Sequence, residues 1–353
     1  MASITRGRST GLDKGTRLGA WQSYRLRVQR KRWRIRAFRK RRDLRPVANR
    51  TADIAPSDIL LFSTQRNEGV RLPWFLKYYR DMGVNHFFFV DNDSTDGSLD
   101  YLAKQPDVSV WTTQASYKRS RFGVDWLNWL ALKYAHDHWA LTVDPDELFL
   151  YPFCDTRPLR ALTDWLDASS IKSFSAMLLD MYPKGRIDAQ PYQVGQDPLE
   201  IASWFDAGNY TVEKNKQFGN LWIQGGPRAR MFFQDKPKLA PALNKIPLVK
   251  WNRQYAYVSS THNLLPRGLN QVYDEWGGEK ASGILLHTKF LDTFAVKAEE
   301  ELARNQHYGA SREYIAYAEG VKDNPDLWCK WSEKYINWRQ LEILGLMSKG
   351  NWA

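Results

Sequence analysis

Cysteine is scarce in this chain of 353 residues, which has only Cys154 and Cys329. Two cysteines exclude a disulfide framework and point to a reducing compartment. Long apolar runs are missing as well. None reaches the ~18 residues that a helix needs to cross a bilayer, and the first residues lack the apolar core of a secretory signal. The expectation is a cytoplasmic protein. Acidic residues are nearly absent from positions 1–50, where Asp13 and Asp43 stand against 17 Lys/Arg. That segment carries +15, whereas the remaining 34 basic and 37 acidic residues carry −3. The net charge of +12 therefore belongs to one segment, and the body is close to neutral.

What is present is aromatic, at 14% of the chain with 16 Trp. The length suffices for one large domain or two modest ones. Residues 1–20, rich in Gly, Ser, Thr and Arg, read as disordered. In residues 21–45, Trp21, Tyr24, Leu26, Val28, Trp33, Ile35 and Phe38 are scattered among basic residues, and neither a helical nor a strand period fits cleanly. Such a mixture suits an anionic membrane surface. It also suits nucleic-acid phosphates, or a tail that only solubilises.

From residue 58 the pattern becomes regular. Asp58–Ser63 reads as a buried strand and Thr64–Gly69 as a polar loop. A helix over 71–82 follows, with Pro73 near its start and Gly83 at its end. Asn85–Val90 is a second strand, and strand–helix–strand within so short a span is a βαβ unit with a parallel sheet. Asp91–Gly97 is an acidic loop. Val108–Trp111 is a third strand, and 122–138 an amphipathic helix. The fold class is α/β, with acidic or polar loops after strands one, two and four. Ligands of open α/β sheets bind outside the carboxyl ends of the strands, so the three loops point to one site.

The fourth of these strands leads into Asp144-Pro-Asp146-Glu147. Pro145 cannot donate to a sheet ladder, so the acidic trio is placed at the strand's end. Three carboxylates in four residues require compensation by a cation or by hydrogen-bond donors. In an extended chain Asp144 and Asp146 point to one side and can share Mg²⁺ or Mn²⁺. His287, at the end of an apolar strand, is a plausible third ligand, and His262 is placed in a similar setting. The segment Gln224–Phe233 reads as strand-like, with Arg228 and Arg230 on one side to bind a diphosphate or an anionic acceptor. The glycines before them allow close backbone approach. Residues 183–225 are irregular and aromatic, fit to shape an acceptor pocket. Asp292–Tyr317 is an amphipathic helix or pair, and the Trp-rich end packs as helices.

Gln65-Arg-Asn-Glu68, Val90-Asp-Asn-Asp-Ser-Thr-Asp-Gly97, Asp144-Pro-Asp-Glu147 and His287-Thr-Lys289, in that order, resemble the glycosyltransferase family 2-like proteins. In them "RNE", "DNxSxDG" and "DxDE" are followed by a later His-x-x-Lys, one residue longer than here. The clear resemblance covers about residues 58–152. It implies a GT-A, Rossmann-like nucleotide-sugar domain with a mainly parallel sheet over 51–300. The basic extension 1–50 then precedes it, and a helical Trp-rich appendage, 301–353, follows. It implies that Thr64, Arg66, Glu68, Asp91 and Asp93 hold the nucleotide, since carboxylates accept from ribose hydroxyls and base N–H groups. It also implies that Asp144 and Asp146 hold a divalent ion on the diphosphate. The expected reaction is sugar transfer from a nucleotide-sugar donor to a glycan or lipid-linked acceptor hydroxyl, with inversion, as in surface polysaccharide or glycolipid synthesis. Asp180 and Asp235 are candidate bases, and Glu147 either orients an aspartate or lies beside the acceptor. Two alternatives stay open. One is a nucleotidyltransferase with a similar metal site, although no glycine-rich, lysine-bearing loop follows strand one. The other is a nucleic-acid-binding protein, which the tail favours and the near-neutral body does not.

Overall fold

The computed structural model describes residues 18–272, 280–304, 320 and 324–352. Two parts of the basic N-terminal segment belong to the fold. Residues Ala20–Lys40 form helix α1, and Arg45–Ala48 form strand β1. The abundant Arg, Lys, Gln, Leu and Ala are good helix formers, and Arg39 and Lys40 in the last turn suit the helix dipole. The periodicity that sequence reading lacked is carried by Leu26, Trp33 and Ala37, the docked face. Leu26 and Ala37 are buried, while Tyr24 and Val28 point outward.

The next elements are β2 (Ile59–Gln65), α2 (Leu72–Met82), β3 (His86–Asp91), α3 (Ser98–Ala103), β4 (Val108–Thr112), α4 (Val124–Tyr134) and β5 (Trp139–Thr142). β2 and β3 are buried along their whole length, as expected of a parallel sheet covered on both faces. α2 turns Leu72, Phe75, Leu76 and Tyr79 into the core and ends at Gly83, whose φ of 102° suits glycine. The following stretch contains β6 (Glu147–Leu150), α5 (Leu159–Ala168), β7 (Ser173–Asp180), β8 (Trp204–Asp206), β9 (Tyr210–Asn215) and β10 (Asn220–Gly225). Then come α6 (Gly226–Phe232), β11 (Asn244–Lys250), β12 (Ala256–Ser259), β13 (Asn263–Leu265), β14 (Gly283–His287), α7 (Thr293–Arg304), β15 (Ser332–Lys334) and α8 (Trp338–Ile343).

Nine strands form one sheet in the order β1-β4-β3-β2-β5-β11-β7-β14-β6. Strands β4, β3, β2 and β5 are parallel, and β14 is parallel to β7. β11 runs antiparallel between β5 and β7, and β1 and β6 are antiparallel edges. The α/β expectation holds. The sheet begins with β1, inside the segment assigned to the extension. The span 183–225 is less irregular than expected, since β9 and β10 form a hairpin. Towards the C-terminus, Trp338, Leu341, Met347 and Trp352 enter the main core, and among the described residues 324–352 the helix is the short α8 beside the strand β15. The expected helix 292–317 is α7 up to Arg304, and its remainder lies outside the described residues.

Candidate active site

Strand direction explains where the chemistry gathers. The carboxyl ends of β2, β3, β5, β7 and β14 and the amino ends of β11 and β6 share one edge of the sheet. Register places His287 opposite Asp180 on one side and opposite Glu147 on the other. The loops interlock above this edge. Asn67 N donates to Ser94 Oγ at 3.0 Å, Thr95 N to Asn67 Oδ1 at 2.8 Å, and Gly69 N to Asp96 Oδ2 at 2.8 Å. Asp96 also accepts from Ser98 N, so it orders a turn.

Residues 143–146 cross from β5 to β6, which lie far apart in the sheet. Glu147 N donates to Asp144 O at 3.0 Å, closing a turn. This overturns the extended Asp-x-Asp geometry, and the two aspartates meet different cations. Asp144, whose side chain is 48% exposed, lies 3.5 Å from Lys245 Nζ. Asp146 Oδ2 is 3.2 Å from His287 Nε2. His287 Nδ1 meets Asp180 Oδ1 at 2.6 Å, and Asp180 Oδ2 accepts from Arg228 Nε at 2.7 Å. The result is a line, Asp146–His287–Asp180–Arg228, buried from His287 onward and half-buried at Asp146. Burial alone would raise both carboxyls. His287 and Arg71 hold Asp146 below the ordinary carboxylate range, and Arg228 and His287 do the same for Asp180. Burial would lower His287, but Asp146 and Asp180 raise it.

Glu147 is the other pole. Its Oε1 is 2.9 Å from Lys245 Nζ, and its Oε2 accepts from Asp144 N at 3.1 Å. Burial pushes its carboxyl up, Lys245 pulls it down, and Asp144 and Asp146 push it up again, so that it stays raised. Burial would lower Lys245, but Glu147 and Asp144 raise it. A cavity of about 60 Å³ opens between Thr64, Tyr117, Phe122, Asp144, Glu147, Lys245 and Thr261. The buried hydroxyls of Thr64 and Thr261 have no hydrogen-bond partner among the described residues. Pockets that bury whole ligands are about 300–1,000 Å³, so this one admits a substituent of a ligand lying across the edge.

The expected nucleotide residues separate. Asp93, 52% exposed on its side chain, is open to a ligand. Asp91 is fully buried and accepts from Gln65 Nε2 and Ser94 N. Arg66 binds Glu300 Oε1 at 2.8 Å and the carbonyls of Asn92 and Asp93. Glu68 is raised by burial against the pull of Lys297 and Arg71, and it ion-pairs with both.

Arg228 and Arg230 lie on α6, a short helix that Pro227 starts, and not on a strand. Gly225 precedes it where a Cβ would sit 2.1 Å from Asn209 O. Arg228 faces the line just described, whereas Arg230 pairs with Asp206 at 2.8 Å and with Leu327 O. The arginine pair expected on one ligand is thus divided. Asp235 is exposed after α6, and Asp180 is enclosed by two cations, so neither has the setting of a base. His262 Nδ1 donates to Asn244 O at 2.6 Å, and the imidazole is depressed to about 3 by burial and then by Lys245. Sequence reading missed Lys245 and Arg71. Arg71 is buried and donates to Thr288 Oγ1 at 3.0 Å and Thr288 O at 2.9 Å.

Among the described residues, no group of three or more His, Cys, Asp or Glu side chains is arranged to hold a metal ion. The expected trio of Asp144, Asp146 and His287 is therefore not gathered. A pair remains, Asp146 with His287. Its imidazole is oriented from behind by Asp180, the usual outer partner of a metal-bound histidine. One carboxylate and one imidazole suit Mn²⁺ better than Mg²⁺, and an ion there would take its other ligands from phosphate and water.

No protein-family model matches the chain, and no curated protein matches it. Among solved structures, a Bacillus anthracis protein described as a glucose-1-phosphate thymidylyltransferase, in complex with sucrose, is similar over 82% of this chain and 95% of its own. The identity is 9% and the TM-score 0.29, too low to add to the topology described above.

Proposed function

We propose that the protein is a metal-dependent glycosyltransferase that moves a sugar from a nucleotide-sugar donor to an acceptor hydroxyl. The observation that carries this reading is the line Asp146–His287–Asp180–Arg228 at the carboxyl edge of the sheet, beside a cavity with two unpartnered hydroxyls. Asp93 accepts from the ribose or base of the donor, and Thr64 and Thr261 bind hydroxyl or phosphate oxygens that enter the cavity. Asp146 and His287 hold the divalent ion, and Asp180 is a positioning residue for the histidine. When bound, the ion stabilises charge on the departing nucleoside diphosphate. Glu147, raised and lining the cavity, takes the acceptor's proton as its oxygen bonds to the anomeric carbon and the sugar–phosphate bond breaks.

The test is incubation with a panel of nucleotide sugars, a hydroxyl acceptor and Mn²⁺. Release of nucleoside diphosphate is expected, and Glu147→Gln should lower kcat by about 10²–10⁴. Asp146→Asn should abolish transfer while leaving the circular dichroism of the fold unchanged. Release of pyrophosphate from a nucleoside triphosphate plus a sugar phosphate would replace this reading with nucleotidyl transfer. Full activity of Asp146→Asn, or in excess chelator, would remove the metal from it.

A further inference from the structure

Helix α1 has two faces of different character. The inner face is tied to the body. Leu26 packs with Phe218 and Leu265, Trp33 lies under the Arg121 guanidinium at 4.0 Å, and Arg36 Nε meets the fully buried Asp125 at 2.7 Å. The outer face exposes Trp21, Tyr24, Val28, Ile35 and Phe38 by 68, 56, 49, 44 and 49%. At 3.6 residues per turn these five fall in one stripe, roughly opposite Leu26 and Ala37. Arg25, Lys31, Arg32 and Arg39, all exposed, lie in or beside the same stripe. The helix holds nine Lys/Arg and no Asp or Glu. A merely solvated face would not keep five large apolar side chains in register with its cations.

We infer that this stripe docks on an anionic lipid bilayer, with α1 lying in the plane of the interface. The arginines and lysines meet lipid phosphates, and Trp21, Tyr24, Val28 and Ile35 enter the boundary between headgroups and acyl chains. Among the described residues, no helix is long and apolar enough to cross a membrane, so the contact is interfacial. The rings also discriminate between anionic partners. Trp21 stacks on Tyr24 at 5.7 Å, and Phe38 is covered by Arg41 at 3.7 Å and edged by Trp129 at 5.6 Å. One face of each of Trp21 and Tyr24 is taken by the other and one face of Phe38 by Arg41, which favours insertion among acyl chains over stacking of successive nucleic-acid bases. Because α1 is clamped through Arg36 and Asp125, docking fixes how the whole domain sits on the membrane. The inference stands independently of the reaction proposed above.

The full-length protein is sedimented with phosphatidylcholine vesicles, with and without phosphatidylglycerol. Binding is expected only to the anionic vesicles. The variant R25Q/R32Q/R39Q should bind at least tenfold more weakly. The variant W21S/V28S/I35S should bind at low salt and be released at high salt, since its remaining attraction is screened. All six side chains are exposed, so unchanged circular dichroism and Tm serve as the folding control. Equal binding of both variants and the parent protein, or equal binding to neutral vesicles, overturns the inference. So does tighter binding of single-stranded RNA than of anionic vesicles at equal ionic strength.

Discussion

The site edge and helix α1 are both densely charged, and they treat charge in opposite ways. At the edge, Asp144, Asp146, Glu147, Asp180 and Glu68 each have a cationic side chain, Lys245, His287, Arg228, Arg71 or Lys297, within 4 Å. Along α1, Arg25, Arg27, Lys31, Arg32 and Arg39 are left to water, while Arg36 pairs with the buried Asp125 and Lys40 with Asp43. The difference follows from desolvation. A buried charge costs several kcal/mol unless paired, whereas an exposed one repels its neighbours only through a screened, high-dielectric medium. Compensation at the edge is thus required by folding, and the uncompensated charge on α1 is free to meet a partner.

The sharpest way to break this comparison is to remove one arginine from each region. Arg228→Met leaves Asp180 with His287 alone in a buried setting and should cost about 3–5 kcal/mol in urea unfolding. Arg27→Gln on the exposed side of α1 should change stability by less than about 0.5 kcal/mol. Equal costs would mean that the edge is not electrostatically coupled as its distances imply.

Two histidines sharpen it further. His262 is depressed to about 3 by burial and by Lys245, against an unfolded value of about 6.5. Below about 6.5 the unfolded chain takes up a proton that the native state refuses. The stability His262 contributes is therefore present above that value and lost as pH falls. Each unit is worth about 1.4 kcal/mol, so about 2 kcal/mol is lost between pH 6.5 and 5. His287 has the opposite sign. Raised by Asp146 and Asp180 against burial, it contributes stability below about 6.5 that is lost as pH rises through its folded value. In urea midpoints measured across pH, His262→Gln should flatten the acid limb and leave the alkaline limb unchanged. An unaltered acid slope would remove His262 from that account.

The parallel block was legible in sequence because its signals are local. Apolar runs, Pro73, Gly83 and polar loops each act within a few residues, and β2, α2, β3 and α4 lie within three or four residues of their expected bounds. The convergence of loops at one edge was legible too, since it follows from strand direction. Pairing within the site was not. His287 and Asp180 are 107 residues apart and meet only through the register of β14 on β7. Lys245 had no local signal beyond being a charge in an apolar strand, so its place beside Asp144 and Glu147 could not be read from the sequence. At α6, the alternation of Arg228 and Arg230 suggested a strand, although Gly226-Pro227 was a readable helix start. In α1, dense Arg and Lys hid a docked face of only a few residues.

An effect between those of Arg228 and Arg27 lies where the two regions' rules meet, at Arg36. It is the one α1 cation with a fully buried carboxylate partner, yet its own side chain is 39% exposed. Asp125 also accepts from Arg121, through Nε at 2.8 Å and Nη2 at 2.6 Å. Removing Arg36 therefore does not orphan the carboxylate as removing Arg228 partly does. Arg36→Gln should cost about 1 kcal/mol, near the net worth of one hydrogen bond, and Asp125→Ala should cost more because it leaves two guanidiniums facing each other. The same variant separates docking from charge. If α1 binds membranes as a fixed part of the domain, Arg36→Gln should leave vesicle binding intact but raise the rate of proteolytic cleavage within α1. Cleavage at the parent rate would show that Leu26, Trp33 and Ala37 hold the helix without the ion pair.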